Sequence, residues 1–305
     1  MKILRHARPA TDTAIAIGSF DGVHLGHQAM LERVKRAARS RGLAPAALTF
    51  EPLPREYFAP REAPARLASL GEKLAAIERA GIDIAFVERF GRRFAAIGAD
   101  AFAERLAHHY RARWVIVGED FRYGAGRKGD AASLAAAGRA LGFEVEILPP
   151  VAVEGERVSS TRVREALAQA DFARAARLLG RAYAITGRVG HGAKRGRGMG
   201  FPTANIRLAR PRAALHGIYA VKCFGAATRG LEGVASLGMN PAVASGGPAT
   251  LEAFLFDFSG DLYGRRLTIE FVKKLRDEAH FASLDELAAQ IQRDCDAARA
   301  FFRKA

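Results

Sequence analysis

The chain has 305 residues, of which 49% are hydrophobic and 26% charged, with 47 Lys and Arg against 32 Asp and Glu for a formal charge of +15. That composition supplies a core for two domains of ordinary size and excludes a disordered or fibrous chain. No apolar run approaches the roughly 20 residues of a bilayer span, the first residues lack a signal-peptide core, and Cys223 and Cys295 show neither metal nor redox spacing, so a cytoplasmic protein is expected.

The first half alternates strand and helix patterns. Thr13–Ile17 reads as a strand and Gln28–Ser40 as a helix with Met30, Leu31, Val34 and Ala38 on one side. Strands follow at Pro45–Phe50, Ile82–Val87, Trp114–Val117 and Glu144–Leu148, with helices at Ser69–Ala80, Asp100–His109 and Ala131–Leu141 between them. This rhythm predicts a Rossmann-like α/β domain, a parallel sheet with helices on both faces and its ligand beyond the carboxyl ends of the strands. Two short helical stretches, Arg162–Gln169 and Phe172–Leu179, precede Gly180. From Tyr183 onward strands dominate: Tyr183–Val189, Gly217–Phe224, Gly230–Ser236, Leu251–Asp257 and Leu267–Val272, separated by turns rich in Gly, Pro and Asn. They predict an antiparallel sheet or small barrel. A last helix, Leu284–Phe301, starts at Ser283 with Glu286 placed for a capping box. The domain boundary is placed at residue 182, giving domains 1–182 and 183–305.

Gly18–His27 reads GSFDGVHLGH between the first strand and the first helix. Gly18, Gly22 and Gly26 allow a sharp turn and a close backbone approach. The amides of the helix N-terminus favour an anion, and His24 and His27, three residues apart, can reach the same one. Alone, the histidine spacing reads rather as a metal pair or as unrelated surface residues; the glycine-rich strand–loop–helix context reverses this and turns it toward nucleotide phosphates. No Walker A pattern is present. Three further segments fall at the expected ligand edge: Thr49–Glu56 (TFEPLPRE), Val117–Asp130 (VGEDFRYGAGRKGD) and Ser159–Arg164 (SSTRVR). Any one hydroxyl of the last is equally a helix cap.

A second glycine-rich stretch, Gly187–Ile206, reads GRVGHGAKRGRGMGFPTANI. Its Lys194, Arg195 and Arg197 suit phosphates, although composition alone fits a basic linker as well. The PTAN segment argues against a linker. Thr203 and Asn205, two apart on an extended strand, share a face and offer two oxygens to Mg²⁺.

In order and over essentially the whole chain, these segments resemble the bacterial bifunctional riboflavin kinase/FMN adenylyltransferase (FAD synthetase) family. The resemblance implies that riboflavin is phosphorylated by ATP to FMN and that FMN is then adenylylated to FAD with release of pyrophosphate, with Mg²⁺ in attendance. It places His24 and His27 on the ATP phosphates. Gly18, Ser19, Phe20, Asp21, Gly26, Ser160, Thr161 and Arg164 would complete that site, and Asp120 and Arg127 would sit on the loop that meets nucleotide and flavin. In the second half it assigns Gly187 and Lys194 to the nucleotide loop, Thr203 and Asn205 to Mg²⁺, Glu252 of LEAFLFD to general-base catalysis and Arg276 of LRDE to the flavin site. Without the resemblance, Glu252 reads as an ordinary strand residue facing solvent. The sequence departs from the family pattern at Leu53, Asn240, Ala242 and Phe254. These departures bear on the flavin pocket more than on Thr203, Asn205 or Glu252. The positive charge is spread over both halves, with no basic stripe interleaved with aromatics, so no nucleic-acid or membrane partner is expected.

Overall fold

The computed structural model describes residues 1–192, 200–210, 212–239 and 249–304. Lys194, Arg195, Arg197, Asn240 and Ala242 lie outside these residues. The chain forms two compact units, Met1–Pro64 with Leu70–Ser160, and Ala65–Ser69 with Thr161–Ala305.

The first unit is built from β1 (Lys2–Leu4), β2 (Thr13–Ile17), α1 (Leu25–Arg41), β3 (Ala44–Glu51), α2 (Pro54–Phe58), α3 (Leu70–Arg79), β4 (Ile84–Arg89), α4 (Arg92–Ala95), α5 (Ala99–His108), β5 (Ala112–Gly118), β6 (Arg122–Tyr123), β7 (Gly129–Asp130), α6 (Ala131–Leu141), β8 (Glu144–Leu148), β9 (Ala152–Val153) and β10 (Glu156–Arg157). Six strands form a sheet in the order β1-β4-β3-β2-β5-β8, and every pairing in it is parallel. A parallel sheet is covered on both faces, which is why all five residues of β2 are buried. Ile15 and Ile17 point into one core layer, with Phe102, Leu106 and Leu134. Ala14 and Ala16 point into the other, with Leu31, Val34 and Trp114. The chain runs β2, β3, β4 in one direction across the sheet and returns to β5 on the other side of β2. The order therefore reverses between β2 and β5, and a ligand crevice belongs at their carboxyl ends.

The second unit carries α7 (Ser160–Ala168), whose first residue belongs to the other unit, then α8 (Phe172–Leu179), β11 (Ala184–Gly190), β12 (Thr203–Ile206), β13 (Gly217–Phe224), β14 (Leu231–Met239), β15 (Ala249–Leu255), β16 (Arg266–Arg276) and α9 (Leu284–Phe302). The six strands close into a barrel in the order β11-β12-β15-β14-β13-β16, with antiparallel pairing throughout. Along β15 buried residues alternate strictly with half-buried ones, so one set fills the barrel and the other lies on its outer wall. α9 packs on that wall through Cys295 and Ala298 against Ile218, Ala220, Val234 and Phe256. Ser283 caps it, its hydroxyl accepting the Glu286 amide at 3.2 Å.

The predicted strands and helices are present: Thr13–Ile17, Ala131–Leu141, Glu144–Leu148, Phe172–Leu179 and Gly217–Phe224 have the expected bounds, and the others are shifted at their ends by one to several residues. The largest consequence is at α1, which begins at Leu25 rather than Gln28 and so draws both motif histidines to its first turn. β1, α2, α4 and the two short hairpins β6–β7 and β9–β10 carry too few residues to show a period.

Candidate active sites

The loop between β2 and α1 is strained. Phe20, Gly22 and Val23 take left-handed backbone at φ 49°, 79° and 42°. Glycine does so freely, but a phenylalanine or β-branched valine there costs on the order of 1–3 kcal/mol and persists only when its surroundings hold it. Here both side chains are buried, and side chains from three places fix three loop carbonyls. Thr49 Oγ1 donates to Ser19 O at 3.3 Å, Ser160 Oγ to Asp21 O at 2.9 Å and Gln28 Nε2 to Val23 O at 2.9 Å.

His24 is the N-cap of α1, its Nδ1 accepting the His27 amide at 3.4 Å. The three-residue spacing of the motif is therefore the spacing of a helix cap and the amide it satisfies. It stacks the two imidazoles with centroids 3.7 Å apart and planes at 19°. An accepting Nδ1 leaves the His24 ring proton on Nε2, available to a ligand. A Cβ on Gly26 would meet Cε1 and Nδ1 of His24 at 3.2 Å, so the glycine between the histidines makes room for the capping ring. Phe20 lies 5.1 Å from His27, ring to ring. His27 is half-buried overall, but its Nδ1 is enclosed with no hydrogen-bond partner. Burial, then His24, then the Lys73 ammonium hold its pKa well below 6.5. The imidazole is neutral at pH 7. The Nε2 proton of His24 and the amides opening α1 face the same end of the helix and can donate to an anion there.

The structure thus gathers Gly18, Ser19, Phe20, Asp21, His24, Gly26, His27 and Ser160 at the end of β2. Asp120 and Arg127 lie on the exposed loop after the neighbouring β5, where Asp120 meets Arg157 at 3.4 Å and Arg127 has φ 57°. Thr161 and Arg164 belong to the second unit, where Thr161 is exposed and Arg164 Nε donates to Ala65 O at 2.6 Å. Leu53 is buried at the N-cap of α2, where its amide donates to Glu56 Oε2 at 2.9 Å; an apolar side chain cannot return that bond.

Two features of this unit escaped the sequence reading. Lys73 of α3 is 1% exposed and donates to Thr49 Oγ1 at 3.2 Å. Nothing in its neighbours along the chain marks it as buried. Beyond β3 and β4 lies an aromatic shelf in which Phe58, 65% exposed, packs edge-on against Tyr57 and Phe90 at 5.2 and 5.6 Å. The Tyr57–Phe58 pair, a few residues after a strand that ends at the ligand edge, was its available signal.

On the barrel, Thr203, Asn205 and Glu252 converge on the outer wall. Asn205 stands opposite Glu252 in the β12–β15 register, and Thr203 Oγ1 donates to Glu252 Oε2 at 3.3 Å. A Cβ on Gly192 would overlap the Asn205 amide, so the backbone at Gly192 passes directly against Asn205. Hydroxyl, amide and carboxylate oxygens so placed are a donor set that fits Mg²⁺. Phe254 packs edge-on against Phe201 and Phe256 at 5.5 and 6.0 Å. A Cβ on Gly187 would meet Arg207 O and Ile206 Cγ2 at 2.5 Å, so this glycine admits strand β12. Arg276 forms a bidentate ion pair with Asp294 of α9 at 2.8–3.1 Å and faces Phe281 at 5.7 Å. The pair fastens α9 to the barrel. Among the described residues, no group of three or more His, Cys, Asp or Glu is placed to hold a metal ion, and no helix is long and apolar enough to cross a membrane.

The structure thus joins a parallel-sheet unit with a glycine-rich, paired-histidine loop to a barrel carrying a Thr–Asn–Glu cluster, and comparison with known protein families gives the class: a two-domain phosphoryl- and nucleotidyl-transfer protein. The family model for FAD synthetase matches residues 6–162 and that for riboflavin kinase residues 179–302. The chain is 46% identical to a bifunctional riboflavin kinase/FMN adenylyltransferase of Escherichia coli K12, covering 96% of this chain and 94% of that one. It is 44% identical to the protein of the same description in Haemophilus influenzae, covering 95% and 94%. A crystal structure described as a macrolide-efflux protein from Streptococcus pneumoniae superposes with a TM-score of 0.80 at 29% identity, covering 98% of each chain. The chain belongs to the bifunctional riboflavin kinase/FMN adenylyltransferase family.

Proposed function

We propose that this chain converts riboflavin to FMN and FMN to FAD, each step consuming ATP, with residues 183–305 serving the first and residues 1–182 the second. The observation that supports this is the presence of two separately built polar groups suited to phosphates, the stacked His24–His27 pair and the Thr203–Asn205–Glu252 cluster.

In the kinase step Glu252 takes the proton of the riboflavin 5′-hydroxyl as that oxygen attacks the γ-phosphorus of ATP and ADP departs. Thr203, bonded to the same carboxylate, orients it. Thr203 and Asn205 would hold Mg²⁺, which neutralises phosphate charge when bound. Gly187 and Lys194 would lie along the phosphates, and Arg276 would reach the flavin only by way of the segment it anchors beside α9.

In the second step the FMN phosphate attacks the α-phosphorus of ATP and pyrophosphate leaves. The nucleophile is already anionic, so positioning and charge stabilisation are the protein's tasks. His24 and His27 donate to the phosphates, together with the amides opening α1. Gly18, Ser19, Phe20, Asp21 and Gly26 shape the loop, and Ser160 holds its Asp21 carbonyl. Asp120 and Arg127 cover it from the loop after β5, and the Phe58 shelf offers a flat apolar face to the flavin rings. Buried free thiols at Cys223 and Cys295 support a cytoplasmic setting. The test is direct. Supplied with riboflavin, ATP and Mg²⁺, the protein accumulates FMN and FAD; supplied with FMN, it forms FAD and pyrophosphate. Absence of both products would sink the reading.

A further inference from the structure

We propose that Lys73, acting through Thr49, is a positioning residue for adenylyl transfer: it braces the strained β2–α1 loop and sets a buried positive charge behind the His24–His27 pair. This rests on the adenylyl-transfer reading of that loop and names a part of its machinery outside the motif.

The geometry is a relay. Lys73 is 1% exposed and Thr49 is fully buried at the end of β3. Lys73 Nζ donates to Thr49 Oγ1 at 3.2 Å, and Thr49 Oγ1 donates on to Ser19 O at 3.3 Å. A hydroxyl accepts and donates at once, so the ammonium fixes the direction of the threonine proton toward the loop. Ser19 directly precedes Phe20, whose φ of 49° opens the left-handed stretch. The carbonyl held by Thr49 is therefore the first of the three that keep the loop in its strained form.

Position and charge reinforce each other. Lysine is rarely this buried, because removing an ammonium from water is costly. A phosphate-binding loop is a place where that cost is useful, since an incoming triphosphate is attracted by a charge held at low dielectric. Burial is the largest cause of the lowered His27 pKa, and the titratable or charged groups acting on it are His24 from the loop and then Lys73 from α3. Lys73 thus adds, as the last of three causes, to the burial that disfavours a charge on His27. A surface lysine would not do this, because water and salt screen its charge.

The experiment uses the full chain and compares Lys73→Met, Thr49→Val and Thr49→Ser with the wild type. FMN adenylylation and riboflavin phosphorylation are measured separately, and the His27 imidazole is titrated by NMR. Lys73→Met and Thr49→Val are expected to lower kcat for adenylylation by at least about tenfold. Thr49→Ser, which restores the hydroxyl, recovers most of that rate. The His27 titration moves up in Lys73→Met, while burial and His24 still hold it below the ordinary histidine value, and it stays low in Thr49→Val; the rescue by Thr49→Ser is the result that a purely structural contact would not give. Wild-type rates in folded Lys73→Met, or Thr49→Ser as impaired as Thr49→Val, would overturn the proposal. Should Lys73→Met not fold, the Thr49 pair decides it. Failure of the wild type itself to make FAD would instead remove the reading of the site on which this rests.

Discussion

Glu252→Gln separates chemistry from structure on the barrel. The side chain is half-buried on β15, and its Oε2 accepts the Thr203 hydroxyl at 3.3 Å. Glutamine keeps the shape and an accepting oxygen, and no ion pair is lost, so folding stability is expected to change by less than about 0.5 kcal/mol. Proton acceptance is what disappears. A general base contributes roughly 10²–10⁴-fold, which is about 3–5 kcal/mol of barrier at about 1.4 kcal/mol per tenfold. Riboflavin phosphorylation should fall by that factor with little change in KM for ATP, because the ground-state contacts remain. Adenylylation of supplied FMN should be untouched. The assay is chromatographic separation of flavins after feeding riboflavin and FMN in separate reactions. A riboflavin phosphorylation rate within about threefold of wild type would refute the assignment of Glu252 as base.

Three further outcomes are expected. His27→Ala should lower FAD formation from FMN by about 10²–10³-fold and leave riboflavin phosphorylation unchanged, read in the same flavin assay. The pKa of His27 is lower in the folded than in the unfolded chain, so unfolding takes up a proton once the pH falls below about 6.5. Stability is complete above that value and is lost as pH falls toward the folded pKa; urea titrations across this range should show the slope, and His27→Gln should flatten it. A smaller slope of the same sign remains from His109, also lowered, mainly by burial and then by Arg105. Arg276→Met should destabilise the second unit by about 3–5 kcal/mol because it strands Asp294, 6% exposed, without its bidentate partner; Arg276→Met with Asp294→Leu should regain much of the loss in denaturant unfolding.

Where the sequence was legible, the reason was periodicity. The all-apolar β2 and the striped α1 read plainly because a two-faced sheet and its covering helix impose those patterns. The alternation along β15 told inside from outside once the strand was placed. His24, His27, Thr203 and Asn205 were legible because their spacing has a local cause, a helix cap in one case and a strand face in the other. What stayed hidden depends on distant partners. Val23 gives no sign of a positive φ, because the bonds that hold it come from Gln28, Thr49 and Ser160. Lys73 looked like one more charged helix residue, since its burial is decided by β3 above it. Arg276 matched a motif, but its partner Asp294 lies 18 residues on, across a loop and nearly three turns of helix. The early start of α1 was missed because His24 is an unusual N-cap, outside the Ser, Thr, Asp and Asn signal.

The central claim, two independent ATP-consuming sites acting in sequence on one flavin, is tested most directly by following flavins over time in Glu252→Gln and His27→Ala together with the wild type, all given riboflavin, ATP and Mg²⁺. Wild type should pass through FMN to FAD, His27→Ala should stop at FMN, and Glu252→Gln should leave riboflavin unconverted yet turn added FMN into FAD. Loss of both conversions from either single substitution in a folded protein would contradict it.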